Sequence, residues 1–140
     1  TAKHGRCEMI RSVMEGVVYS LRDCLEIIRD MKVPIREVRA SGGGGRSPLW
    51  RQMQADVFQT PIAVINSKEG PALGAALLAG VGAGVYKDVE EACERAIQVI
   101  EVQDPIQENI PVYDKYYEIY TDLYPALKDS YRKVMEISNQ

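Results

Sequence analysis

Residues 38–58 read VRASGGGGRSPLWRQMQADVF and place four consecutive glycines between an extended segment and a helix. Before the glycines, residues 35–40 alternate apolar and charged side chains, which is typical of a short strand. After them, Ser47 and Pro48 are residue types favoured at the N-cap and at the first position of a helix. The segment therefore predicts a strand, a glycine turn and a helix in succession.

The run of glycines has three physical explanations. A flexible linker, a tight strand-to-helix turn and a backbone that approaches a ligand closely all favour glycine. Two well-known phosphate-binding loops do not fit. The Walker pattern requires Lys and then Ser or Thr after its last glycine, where this chain has Arg46. The dinucleotide fingerprint requires Gly or Ala at the position of Ser47. The local pattern leaves the choice between a turn and a ligand-binding backbone open.

The flanking sequence predicts α/β architecture. Apolar side chains at helical spacing over residues 8–30 predict a long helix with one broad buried stripe. Ile62–Ile65 (IAVI) is a continuous apolar run, typical of a strand covered on both faces, and a helix of small residues begins at Gly70. Because a strand, a helix and a strand follow one another, we expect the strand ending at Ser41 to pair in parallel with the second strand. The stripe of the first helix consists of Ile10, Val13, Met14, Val17, Val18, Leu21, Leu25 and Ile28.

The last third of the chain is predicted to be mainly helical. Asp88 and Glu91 fit a capping box, and the helix after them is expected to turn apolar side chains inward as far as Ile100. Residues 102–112 are predicted to form an irregular connection. The final helix carries tyrosines and apolar residues at helical spacing, which favours an amphipathic docking face over a cofactor site. These residues are Tyr113, Tyr116, Tyr117, Tyr120, Tyr124, Leu127, Tyr131 and Val134.

Only two strands are evident from these patterns, and a two-stranded sheet is marginally stable. The chain is therefore interpreted as the latter part of an α/β domain. An open sheet edge would leave Ile62, Val64 and Ile65 without neighbours, so we expect self-association into a homo-oligomer or pairing with another chain.

Composition narrows the classes of function. The 140 residues are 46% hydrophobic and 26% charged, which is enough for a packed core. The net charge of −3 disfavours a nucleic-acid partner, and no apolar run reaches the length of a membrane span. Three widely spaced cysteines and the single His4 form neither a disulfide framework nor a metal-ligand cluster. We expect a reduced, cytoplasmic protein with no metal ligands in this segment.

Three stretches in the same order resemble one protein family. Residues 38–58 resemble the nucleotide-binding segment of the FGGY carbohydrate kinases, and within that family the xylulokinase group. Residues 5–29 are similar to the long helix that precedes this segment, and residues 66–80, NSKEGPALGAALLAG, are similar to the family's small-residue helix. The motif residues of that helix are Glu69, Ala72, Gly74, Ala75 and Ala76. With this resemblance, the linker explanation of the glycines is discarded.

The resemblance implies a fold and a place within it. FGGY kinases have two ribonuclease-H-like, actin-like domains, with sugar and ATP meeting in the cleft between them. Residues 1–140 are expected to be the C-terminal part of the second, ATP-side domain. The catalytic aspartate, most of the sugar site and the opening strands of the second domain are expected upstream, so the polypeptide alone is expected to be inactive.

The resemblance also implies the binding residues. Gly43 and Ser47 are expected to contact the adenine end of ATP, while Gly42 and Gly44 let the backbone pass under the nucleotide. Many family members have Asn at the Ser47 position, and Ser47 has the alternative role of capping its helix. Asp56 is interpreted as structural rather than as a catalytic base, because its helix points its other end at the nucleotide.

The predicted reaction is phosphoryl transfer from MgATP to D-xylulose, giving ADP and D-xylulose 5-phosphate. This segment is expected to position ATP and to contribute neither a catalytic group nor a Mg²⁺ ligand. A kinase for ribulose, gluconate or glycerol is the alternative within the family. A non-catalytic interaction module, with the tyrosine helix as its docking surface, is the alternative from another class.

Overall fold

A computed structural model describes residues 3–67 and 70–138. In chain order the elements are α1 (Arg6–Asp30), β1 (Val38–Ala40), α2 (Gly42–Gly45), α3 (Pro48–Phe58), β2 (Ile62–Ile65), α4 (Gly70–Gly82), α5 (Val89–Ala96), β3 (Val99–Gln103) and α6 (Ile110–Ser138). Every predicted helix is present. Within the described ranges, no helix combines the length and the apolar character that crossing a bilayer requires.

The parallel pairing of the first two strands is confirmed. Val38 of β1 is opposite Ile62 of β2, and Ala40 is opposite Val64. The crossover helix α3 begins where its sequence predicts, since the Ser47 hydroxyl accepts a hydrogen bond from the backbone N–H of Trp50 at 3.3 Å. A strand, a helix and a parallel strand therefore form one unit around residues 38–65.

The third strand corrects the sequence prediction. Residues 99–103 form β3, which pairs antiparallel with β2, so the sheet is mixed and has the order β1-β2-β3. The expectations of two strands and of a helix that continues to Ile100 were wrong. Helix α5 does begin as predicted, with the Asp88 carboxylate accepting from Glu91 N–H at 2.9 Å. The Glu91 carboxylate accepts from Lys87 N–H, so the capping box is only half formed.

A side chain distant in sequence ends α5 and starts β3. The Asn66 amide nitrogen donates to the Ala96 carbonyl at 3.0 Å, and the Asn66 amide oxygen accepts from Gln98 N–H at 3.1 Å. The backbone N–H of Asn66 also donates to the Gln98 carbonyl. The end of β2 therefore selects an extended conformation for a segment whose apolar spacing also fits a helix.

The core lies between α1, α3, α6 and β2. Its buried members are Val18, Tyr19, Met53, Ala55, Val57, Phe58, Ile62 and Tyr113. The predicted broad buried stripe of α1 was wrong in extent, because Val13 is 69% exposed and Ile10 is 52% exposed. Helices α3 and α6 cover one flank of α1 and leave the other open.

Tyrosines dock the first part of α6 onto α1. The Tyr19 ring lies 6.4, 5.9 and 5.4 Å, between centroids, from the rings of Tyr113, Tyr117 and Tyr120. Arg22 of α1 stacks its guanidinium on the Tyr117 ring and forms an ion pair with Asp114 at 2.7 Å, measured from Nη1 to Oδ1. The predicted docking face is confirmed for Tyr113, Tyr117 and Tyr120, whereas Tyr116 is 58% exposed and residues 121–138 are all exposed.

Candidate functional site

The carboxyl ends of β1 and β2 lie at the same edge of the sheet because the two strands are parallel. The glycine turn follows β1 at this edge, and α4 begins after β2 at Gly70. A Cβ added to Gly70 would lie 3.5 Å from the Ser41 hydroxyl, so the two chain segments are in contact. Open α/β sheets bind ligands outside the carboxyl ends of their strands. This edge is therefore the candidate site.

Three of the four glycines in α2 are explained by contacts or dihedrals within the chain. Gly42 has a φ of +70°, which L side chains rarely adopt. A Cβ on Gly44 would lie 3.0 Å from Trp50 Nε1, and a Cβ on Gly45 would lie 3.0 Å from the Ala40 carbonyl oxygen. Each of these positions resists a side chain for reasons internal to the fold.

Gly43 is different from its neighbours. Its φ is not in the left-handed region, and a Cβ placed on it would meet no described atom within 4 Å apart from its chain neighbours and the backbone of its own helix. Gly43 is also exposed. Because the fold alone does not require glycine at this position, an external group that approaches the backbone closely is a physical reason for it.

Ser47 lies half-buried at the end of the same turn. Its hydroxyl accepts from Trp50 N–H, so the helix-capping role that the sequence offered as an alternative is present. Capping occupies one acceptor position of the hydroxyl and leaves its own O–H as a donor. A contact from Ser47 to a base stays a prediction.

A groove of about 390 Å³ lies beside the turn, between α1, β1 and α3. Gly44, Gly45 and the Trp50 ring form one wall, and α1 contributes Leu21 and Leu25 to the other. The remaining lining residues are Cys24, Val38, Arg39, Ala40, Ser41, Gln54 and Phe58. The groove is largely apolar, so it suits a flat or hydrophobic group. Of the predicted binding residues, Gly44 lines this groove, and Gly42, Gly43 and Ser47 do not.

The glycine turn is held by the side chain of a buried arginine that the sequence analysis did not identify. Arg51 of α3 is only 5% exposed. Its Nη1 donates to the Gly45 carbonyl at 2.8 Å, and its Nη2 donates to the Glu101 carboxylate at 2.6 Å. Glu101 lies fifty residues further along the chain. A local sequence pattern therefore holds no signal for this arrangement.

Asp56 has the structural role expected from the sequence. It is 2% exposed, and its Oδ1 accepts from the side chain of Gln52 and from Ile106 N–H, both at 2.7 Å. Its Oδ2 accepts from the Asn109 side chain at 2.7 Å. The carboxylate fastens the connection between β3 and α6 to helix α3. All of its known partners are groups of the fold.

Helix α4, with its small residues, and several charged residues also lie near this edge of the sheet. A Cβ on Gly80 would lie 2.8 Å from the Tyr86 ring, so this glycine allows close packing, whereas a Cβ on Gly74 would meet nothing within 4 Å. Arg46 is exposed next to the turn. Glu69 lies outside the described residues. Across residues 3–67 and 70–138, no three His, Cys, Asp or Glu side chains are grouped so that they could hold a metal ion.

Comparison with known proteins places these features in a family. The model of the FGGY family of carbohydrate kinases, C-terminal domain, matches residues 1–83. A xylulose kinase of Staphylococcus epidermidis is 36% identical over 139 residues, which is 99% of this chain and 28% of that protein. The chain thus spans little more than a quarter of such relatives.

Solved structures share the shape of this chain. A ligand-bound xylulose kinase from Lactobacillus acidophilus superposes with a TM-score of 0.84 at 30% identity, over 96% of this chain and 27% of the other. A gluconate kinase from the same organism superposes with a TM-score of 0.82, also at 30% identity and over the same shares of the two chains. The likeness supports the assignment to part of a ribonuclease-H-like, actin-like domain.

Proposed function

Because this chain belongs to the FGGY family of carbohydrate kinases, we propose that it is the ATP-side portion of an enzyme that transfers a phosphoryl group from MgATP to D-xylulose. The products are ADP and D-xylulose 5-phosphate. Residues 1–140 form the C-terminal part of the second domain in this proposal. The proton acceptor, the Mg²⁺ ligands and most sugar contacts belong to other parts of the full-length enzyme, which we propose to be a cytoplasmic homo-oligomer.

The observation that supports nucleotide binding most directly is the free surface at Gly43. The turn is exposed at the carboxyl edge of the sheet, and Gly43 is glycine without any reason internal to the described fold. A backbone without a side chain lets a flat base or a ribose lie directly against the peptide groups. We assign the adenine end of ATP to residues 42–44, with Ser47 at the rim.

The role of this chain's residues is positioning. The left-handed dihedral of Gly42 turns the chain out of β1 and brings Gly43 to the surface. Gly44 lies against the Trp50 side chain, and because it has no side chain of its own the base can lie close to the backbone there. Bound MgATP supplies the transferable phosphoryl group, and a fixed adenine end holds the other end of the nucleotide in register with the acceptor hydroxyl.

D-Xylulose is proposed over other sugars because xylulose kinases are prominent among the relatives and among the superposed structures. The gluconate kinase with a TM-score of 0.82 supports gluconate as the second candidate. A coupled ADP-release assay on the full-length enzyme, with D-xylulose, D-ribulose, gluconate and glycerol as acceptors, decides between them. A kcat/KM highest for an acceptor other than D-xylulose refutes the substrate assignment.

The nucleotide assignment is tested by Gly43→Val in the full-length enzyme. The added side chain meets open space in the fold, so we expect the thermal midpoint to stay within a few degrees of the wild type. The same side chain occupies the surface assigned to adenine, so we expect the KM for ATP to rise on the order of tenfold or more, which corresponds to about 1.4 kcal/mol. The KM for sugar should stay nearly unchanged.

Gly82→Val is the matched control, because Gly82 is exposed and a Cβ there also meets nothing within 4 Å. It should leave both KM values unchanged. Equal losses of affinity for ATP and sugar in Gly43→Val contradict the adenine-side assignment. A full-length wild-type protein that binds no ATP or ADP in calorimetry supports the interaction-module alternative instead.

A further inference from the structure

Arg51 connects three elements around the glycine turn. It belongs to α3, it donates from Nη1 to the carbonyl of Gly45 in α2, and it donates from Nη2 to Glu101 in β3. Both hydrogen bonds are short, at 2.8 and 2.6 Å. The planar guanidinium offers these two donors in a fixed relative orientation. The position of the turn is therefore fixed relative to the far strand of the sheet.

Gly45 is held from a second side as well. Its Cα lies so close to Ala40 that an added Cβ would be 3.0 Å from the Ala40 carbonyl oxygen. The end of β1 blocks movement of Gly45 in one direction, and the bond to Arg51 holds its carbonyl in place. Gly43 and Gly44 directly precede this anchored residue, so the position of Gly45 determines the position of the exposed part of the turn.

Stability alone is a weak reason for an arginine at this position. Only Arg51 is buried in its pair with Glu101, whose side chain is 51% exposed, so water screens the attraction while Arg51 bears the cost of desolvation, and such a pair adds little stability. Arg51 Nε is also buried without a hydrogen-bond partner among the described residues, which adds a further cost. Geometry that an apolar side chain cannot supply, namely a donor aimed at one backbone carbonyl, is the distinctive property of Arg51.

We propose that Arg51 is a positioning residue for nucleotide binding: it holds the Gly45 carbonyl, and through it the exposed glycines, in the arrangement that accepts the adenine end of ATP. This inference rests on the proposed nucleotide site. Arg51 itself is buried under the turn and does not touch the nucleotide. Glu101 orients the guanidinium and compensates its charge, which makes β3 part of the support for the site.

The test uses the full-length enzyme and compares Arg51→Met with Arg22→Met. Arg22 is the matched control, because it is also buried and bonded to a carboxylate, Asp114, but it lies between α1 and α6. Both variants lose a buried cation and should lower the thermal midpoint. We expect only Arg51→Met to weaken ADP binding, measured by calorimetry, by roughly tenfold, which is the loss that follows if the released turn occupies the binding arrangement about a tenth of the time.

Two further measurements separate positioning from general damage. Arg51→Lys keeps one charged donor without the guanidinium fork, so it should restore part of the affinity for ADP. Amide hydrogen exchange at residues 42–46 should accelerate in Arg51→Met and stay at the wild-type rate in Arg22→Met. Both readouts remain measurable in variants of reduced stability.

The outcomes distinguish the inference from the function on which it rests. If the wild-type enzyme binds ADP and Arg51→Met binds it equally well, the positioning role is wrong while the nucleotide site stands. If Arg22→Met weakens ADP binding as much as Arg51→Met does, general destabilisation accounts for the loss and the role is again wrong. If the wild-type enzyme binds no ADP, the proposed function itself fails.

Discussion

Replacing Asp56 tests whether this buried carboxylate is a structural residue or a catalytic base. Asp56→Ala removes three accepted hydrogen bonds, each 2.7 Å long, from the side chains of Gln52 and Asn109 and from Ile106 N–H. A hydrogen bond to a charged group contributes about 1.5–3 kcal/mol. The donors on the β3–α6 connection are partly exposed and regain water, so the sum is reduced. We expect a loss of about 3 kcal/mol.

The assay follows stability and activity in the same full-length protein. A loss of about 3 kcal/mol corresponds to a fall of roughly 6–12 °C in the midpoint of the transition of a domain of ordinary size. Below that transition, kcat should stay within about twofold of the wild type, because the donors to Asp56 belong to the fold. Asp129→Ala is the control, since the Asp129 side chain is 84% exposed, and its midpoint should not move.

The opposite result would refute the structural role. Loss of a catalytic base lowers the rate by about 10²–10⁴-fold. A kcat reduced on that scale, with an unchanged midpoint in Asp56→Ala, would mean that Asp56 acts on the substrate. Asp56→Asn refines the comparison, because its amide keeps one acceptor oxygen and turns an NH₂ group toward a former donor. It should fall between the wild type and the alanine variant in stability.

Three further predictions concern the tyrosine cluster and the exposed helices. The Tyr19 hydroxyl is buried without a partner among the described residues, so Tyr19→Phe should raise the thermal midpoint by an amount equivalent to up to about 1 kcal/mol, and a lowered midpoint would contradict this. Burial raises the pKa of Tyr19 and of Tyr117, so these phenols lose their protons at a lower pH in the unfolded protein than in the folded protein. The free energy of unfolding should therefore fall as the pH rises above about 10, and it should fall less steeply in Tyr19→Phe. A midpoint independent of pH between 9 and 11, roughly one unit either side of the ordinary pKa of a tyrosine phenol, would refute the coupling. The 140-residue polypeptide should self-associate at about tens of micromolar, because Val13 on α1 and Tyr124 on α6 are among many exposed apolar side chains, and a strictly monomeric species in sedimentation would refute this.

The source of that exposed apolar surface differs from the one the sequence suggested. The sequence predicted that the sheet would expose Ile62, Val64 and Ile65, because only two strands were evident. In the structure β3 covers the second edge of β2, and Ile62 is fully buried. The exposed apolar surface lies instead mainly on α1 and on the second half of α6, and Val99, Ile100 and Val102 of β3 add to it. The prediction of association stays, with a different physical basis.

Local patterns predicted the elements that local interactions determine. The strand, the glycine turn and helix α3 depend on residues within about twenty positions of one another, and the Ser47 cap and the parallel pairing are as expected. Residues 97–103 are ambiguous locally, since apolar spacing fits a helix while β-branched residues fit a strand. Their conformation is settled by Asn66, which bonds Ala96 and Gln98 from thirty residues away.

In the candidate site, too, the sequence predicted the features that depend on neighbouring residues and missed those that depend on distant contacts. The glycines that shape its surface are contiguous, so the sequence identifies them. The reason why each position is glycine is visible only in the structure, from the dihedral of Gly42 and from the neighbours of Gly44 and Gly45. The group that holds the surface in place is Arg51, and its anchor Glu101 lies on the strand that local reasoning missed. Missing β3 and missing Arg51 therefore have one cause, because both depend on contacts between segments about thirty to fifty residues apart. A substitution in β3 that preserves the sheet and removes the carboxylate, such as Glu101→Gln, should accordingly weaken nucleotide binding less than Arg51→Met does, since the arginine keeps its bond to Gly45.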